Sequence, residues 1–94
     1  MTDLIRNTEA RDAVMAKIAA RPLHDMSRGT KGRLPISLGI KGEGGQIAVS
    51  IDQKGIVRFY DRVCADGSGI LVHEEHDNEV LMNWLQAQSA RLRA

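Results

Sequence analysis

The densest run of chemically capable side chains is His73-Glu74-Glu75-His76-Asp77, and His24-Asp25 forms a second, smaller group. Imidazole and carboxylate are good ligands for zinc and related metals. A zinc-protease pattern needs two histidines four apart on one helical face. His73 and His76 are three apart, where a strand gives way to a helix, so alternation sends their rings to opposite faces. The run is expected to be a solvated strand end with neither a metal nor a catalytic role. Cys64 is the single cysteine, so an internal disulfide and a cysteine-ligated zinc are excluded. A cation such as Arg62 beside it would favour the thiolate. A nucleophile also needs an oriented base, and no spacing supplies one, so Cys64 is expected to be inert. Gly42-x-Gly44-Gly45 leads into a strand rather than a helix, unlike a dinucleotide fingerprint. Gly29-Thr30-Lys31-Gly32 lacks the frame of a phosphate loop. No cofactor is expected.

Three groups could carry binding instead. The loop Ser27 to Arg33 holds Arg28, Lys31 and Arg33 beside two glycines, a composition able to meet phosphates or an acidic protein surface. Strict alternation along one strand would put Arg58, Tyr60 and Arg62 in a row on a wet sheet face, and Arg and Tyr are enriched at interface hot spots. Glu74, Glu75, Asp77 and Glu79 form an acidic run that could imitate nucleic acid or meet the basic loop of a second copy.

The elements that must position these groups follow from periodicity. A helix is expected from about Thr2 or Asp3 to Ala20, with Leu4, Val14, Met15 and Ile18 on one side and alanines adding propensity. Thr8 could instead cap a shorter helix, leaving Leu4 and Ile5 as a lead-in. Pro22 stops the helix. Three alternating patterns follow: Ile36, Leu38 and Ile40; Ile47, Val49 and Ile51; and Val57, Phe59 and Val63 opposite Ile56, Arg58, Tyr60 and Arg62. Period-two alternation means one buried and one wet face. The glycine-bearing connectors 41–45 and 52–55 read as hairpin turns. A fourth strand runs from Ile70 to Glu74. Val80, Leu81, Trp84, Leu85, Gln88 and Leu92 then form the stripe of a last helix, capped by Asp77 or Asn78, with Arg91 and Arg93 suiting its negative end. The expectation is an α+β domain spanning residues 1–94: a four-stranded antiparallel meander with an N-terminal and a C-terminal helix on one face.

Composition narrows the function. The chain has 94 residues, is 43% hydrophobic and 27% charged, and carries a formal net charge of +1. Its only aromatics are Trp84, Phe59 and Tyr60, too few for a base-stacking reader of single strands. No apolar run reaches the length of a membrane span, and no signal peptide opens the sequence. The lone thiol suits a reducing cytoplasm. Charge is segregated: residues 21–41 carry five cations against Asp25, a net +4, while residues 61–79 carry six acids against Arg62, a net −5. Such segregation speaks to partners rather than to fold. In element order alone, the α-β-β-β-α portion resembles double-stranded RNA-binding domains, which would imply phosphate contacts from a lysine-rich N-terminus of the last helix. Here that position reads His76-Asp77-Asn78-Glu79. The expected function is a non-enzymatic protein acting by contact with a protein partner, such as an inhibitor or regulator of a bacterial nucleic-acid-handling complex carried by a phage or mobile element (anti-CRISPR-type). The alternatives are a nucleic-acid-binding module using the 28–33 loop and a small metal- or thiol-dependent enzyme. A homodimer pairing acidic run with basic loop is a further expectation.

Overall fold

The computed structural model describes residues 4–25, 36–42, 45–63 and 69–93. Its order is α1 (Thr8–Ala20), β1 (His24–Asp25), β2 (Ile36–Gly42), β3 (Gly45–Ile51), β4 (Ile56–Val63), β5 (Gly69–His76) and α2 (Glu79–Arg93). The α-β-β-β-β-α architecture expected from the sequence is present. The two-residue β1 adds a short outer strand on β2, so five strands lie in chain order with every pairing antiparallel. No helix among the described residues is long and apolar enough to cross a membrane.

Alternation builds the core. Leu38 pairs with Val49, and Val49 with Phe59, so all three point to one face. Ile36, Ile51 and Val57 make a parallel row, and Ile40 pairs with Ile47. Val14 and Ile18 of α1 and Leu81 and Leu85 of α2 join the same buried cluster. Both helices therefore cover one face of the sheet. Each large apolar side chain sealed there contributes roughly 1.5–3 kcal/mol, and Phe59, Ile18 and Leu85 are fully buried. Val80, expected on the α2 stripe, is 74% exposed. Its neighbour Leu81 takes the inward direction, because the stripe is narrower than its six positions suggested. The opposite face differs from the wet surface expected. Ser37, Ala48 and Ser50 are buried there, being small residues whose cross-strand neighbours include Arg58 and Tyr60.

The N-terminus follows the shorter of the two expected helices. Asn7, rather than Thr8, is the cap, its side chain accepting the Ala10 N–H at 3.0 Å. Leu4 to Asn7 are freed from the helix and run beside β5, where the Glu74 N–H donates to the Ile5 carbonyl at 2.6 Å. The β3–β4 connection is organised by Asp52, whose carboxylate accepts the Lys54 and Ile56 N–H groups. Gly55 completes the turn at φ +82, a left-handed conformation that favours glycine. On α2, Asn78 is the cap, accepting the Leu81 N–H at 3.0 Å.

Arg91 serves a different helix end from the one expected. Its guanidinium donates to the Ile18 and Arg21 carbonyls at the C-terminus of α1, at 3.2 and 2.8 Å, and to the buried Gln88 side chain of its own helix. Helix ends leave carbonyls without intrahelical partners, and here the neighbouring helix fills that need. We expect Arg91→Met to lower stability by about 1–3 kcal/mol, read as a fall in the urea midpoint with an unchanged slope. Arg91→Lys should recover only part of the loss, because one ammonium cannot reproduce the fork that spans two carbonyls.

Candidate functional site

One irregularity in the sheet decides which charged side chains meet. Between the pairs Ala48–Tyr60 and Gln46–Val63, β4 advances three residues while β3 advances two. On its other edge β4 passes from Tyr60–Leu71 to Arg62–Ile70, again with one residue to spare. This is a β-bulge at Asp61. An extra residue reverses the alternation beyond it. Val63 now shares a face with Gln46 and Tyr60, and Arg62 turns toward the helices. The sequence expectation of Arg58, Tyr60 and Arg62 in one row is thereby corrected, as is the placing of Val63 with Val57 and Phe59.

Arg62 arrives beside α1. It lines an open cleft of about 520 Å³ together with Lys17, Arg21, Lys41, Gly45, Ile47 and Asp61. Lys17 belongs to the last turn of α1 and Arg21 is its C-cap. Lys41 and Gly45 bring in the strand ends of the β2–β3 hairpin, and the Lys41 carbonyl accepts from the Arg21 guanidinium at 3.3 Å. Gly45 is needed for close approach, since a Cβ there would stand 2.7 Å from Arg62 Cγ and 2.9 Å from the Val63 carbonyl oxygen. Lys17, Arg21 and Arg62 thus gather at one hollow with Asp61 as the one carboxylate among its described lining residues, while Lys41 contributes its backbone and its side chain belongs with Gln46 on the opposite face. Among the described residues no ion pair engages Lys17, Arg21, Lys41 or Arg62.

The acids, by contrast, are used internally. Arg58 joins Asp52 at 2.7 Å and Glu74 at 3.1 Å on the face away from the helices. Glu74 also accepts the Ile5 N–H at 3.2 Å. Glu75 points to the helix side, 3.0 Å from Arg11 of α1 and 3.2 Å from His73 Nε2. The acidic run is therefore split between two faces. Asp77 lies against Gly55, and Glu79 is exposed in the first turn of α2. Tyr60 is half-buried beside Arg58's face. Arg28, Lys31, Arg33 and Cys64 lie outside the described residues.

His73 departs from the solvated strand end expected of it. It is fully buried, its ring 5.7 Å from that of Phe59. Nδ1 accepts the Asn7 N–H at 2.8 Å, so the ring proton belongs on Nε2, where it is directed at Glu75. The register accounts for this: His73 pairs with Phe59 and Glu75 with Val57, both inward positions. His76 pairs with Ile56 on the other face and is exposed. Among the described residues no three His, Cys, Asp or Glu side chains converge in a group able to hold a metal. The His73–Glu75 pair is closed off by Arg11 and Asn7, which leaves it a structural tie rather than an open acid–base pair. No protein family matches the sequence, and neither a curated protein nor a solved structure is significantly similar to it.

Two carboxylates are held below their ordinary range. Burial would raise Glu75, but His73 and Arg11 outweigh it. Burial would likewise raise Asp52, but the Ile56 and Lys54 N–H groups and Arg58 prevail. A carboxylate depressed in the fold stabilises it above the unfolded value and loses that contribution as pH falls through the folded value. Stability should therefore drop as pH falls below the ordinary 4.5 of Glu75 and 3.8 of Asp52. Urea unfolding between pH 7 and pH 3 checks this. Glu75→Gln with Asp52→Asn should start less stable at pH 7 and lose less on acidification, whereas an equal loss in both proteins would contradict it.

Proposed function

We propose that the protein is a non-enzymatic binding protein that acts by contact with a protein partner, its basic end meeting an acidic surface. The observation that carries this reading is the sorting of charge. Asp52, Glu74 and Glu75 are neutralised within the fold by Arg58 and Arg11, while Lys17, Arg21 and Arg62 converge around an open hollow. Complementary potentials of this kind steer association and set specificity. The segregated charge and small size of the chain support a narrower version, in which the partner belongs to a bacterial nucleic-acid-handling complex that this protein inhibits or regulates. Arg28, Lys31 and Arg33 extend the basic character along the sequence and are further candidates for contact, while Arg58 and Tyr60 stand on the opposite face of the sheet from the cleft.

Charge reversal tests the reading. Tagged protein is used to capture partners from its native lysate, with and without nuclease, beside a Lys17→Glu, Arg21→Glu variant shown to be folded by its urea transition. The expected result is a stoichiometric protein that survives nuclease, is lost with the variant, and weakens as salt rises. Recovery of nucleic acid alone, removed by nuclease, would transfer the function to a nucleic-acid-binding module. Equal capture by the charge-reversed variant would remove the basic end from the interface.

A further inference from the structure

We propose that the cleft between α1 and the β4 bulge is a binding site for a small polyphosphate anion carrying two adjacent phosphates. The proposal rests on reading this end of the molecule as its binding surface, and it names what the hollow itself would take.

Three features of the cleft point to such a ligand. The first is convergence: Lys17 and Arg21 from α1 and Arg62 from β4 face one concavity of about 520 Å³, to which Lys41 of β2 contributes its backbone. Nucleic-acid footprints are extended along a groove or strand, whereas these cations are gathered at one open cleft. The second is charge. Against these three cations stands only Asp61 among the described residues of the lining, a net +2. A single carboxylate would leave part of that charge in place, and a diphosphate would cancel it. The guanidinium forks of Arg21 and Arg62 suit paired phosphate oxygens, and Lys17 adds a point charge. Among the described residues the lining holds no aromatic side chain, so the phosphates rather than a base would be recognised.

The third feature removes an obstacle. The C-terminus of α1 opens at this cleft, and a helix C-terminus carries partial negative charge that repels anions. Arg91 donates to the Ile18 and Arg21 carbonyls there. It covers part of that negative end, adds a positive charge behind the cleft, and fixes the backbone of Arg21. An anion in the hollow would occupy the cations that an acidic partner needs, so ligand and partner would compete.

Calorimetric titration of the full chain with pyrophosphate at low salt tests the site without any partner. The expected result is saturable one-to-one binding, at least roughly tenfold tighter than orthophosphate and weakened by added salt. Lys17→Ala with Arg21→Ala should weaken it about tenfold or more, and Asp61→Asn should tighten it roughly two- to fivefold. Gly45→Ala, which changes no charge but displaces Arg62, should weaken it as well. Lys54→Ala, in the β3–β4 turn, should leave it unchanged. A nucleoside diphosphate binding about as tightly as pyrophosphate supports recognition of the phosphates alone, whereas one binding much more tightly would overturn that by showing that the base is read. Absence of saturation at about 1 mM pyrophosphate, equal binding of orthophosphate, indifference to the Lys17 and Arg21 substitutions, or much tighter binding of a single-stranded oligonucleotide would each overturn it. If a protein partner is captured and lost on charge reversal while pyrophosphate fails to bind, this inference falls and the proposed function stands.

Discussion

His73 can satisfy both of its neighbours in only one protonation arrangement. Its Nδ1 must accept from the Asn7 N–H, and its Nε2 must donate to Glu75. Fully buried, it has no water to fall back on, and an unmatched polar group there would cost about 1–3 kcal/mol. Much of the fold's geometry follows from this. Asn7 is held at the point where α1 begins, so the chain before it lies along β5 instead of continuing the helix. Glu75 is drawn inward, where it meets Arg11 one turn into α1. The helix is therefore tied to β5 by a polar chain at its start and by Val14 and Ile18 packing further along.

The opposite end of α1 is fixed by another borrowed contact. Arg91 reaches across from α2 to the carbonyls of Ile18 and Arg21. With both ends tied, the azimuth of α1 over the sheet is set, and Lys17 and Arg21 are presented to the β4 bulge. The bulge completes the arrangement by turning Arg62 to the same side. Had β4 kept strict alternation, Arg62 would stand with Arg58 and Tyr60 on the far face and the cations would be divided. One extra residue in a strand thus decides whether the molecule has a concentrated basic hollow or two dilute patches.

Where local chemistry governs, the sequence is legible. The strands announce themselves through Leu38, Val49 and Phe59 in period two, α2 through Leu81 and Leu85, and the turns through Asp52 and Gly55. What escaped notice depends on register between strands. His73 looks solvated in a run of polar residues until Phe59 is known to lie opposite it. The acidic run 74–79 looks like one patch until pairing sends Glu74 and Glu75 to different faces. The bulge at Asp61 has no sequence mark of its own, because its position follows from matching β3 and β5 to β4 at once. Lys17 and Arg21 are similar: nothing in the sequence around a helix end next to a proline marks them as a site, and only the hairpin brought beside them makes them part of one.

The same logic explains why the two charge populations behave so differently. A partly buried acid is accommodated when a cation is carried to it, and Arg58 and Arg11 supply that at Asp52 in the β3–β4 turn and at Glu74 and Glu75 on β5. These pairs are only partly exposed, so their contribution is felt in stability more than in recognition. Among the described residues the cations at the end of α1 have no such ion-pair partner. They are held near one another by backbone geometry, and because they are exposed to water their mutual repulsion is modest. The fold tolerates that repulsion because it is anchored elsewhere, by the core and by the His73 tie. A bound anion would relieve it, and the relief would add to stability as well as to affinity.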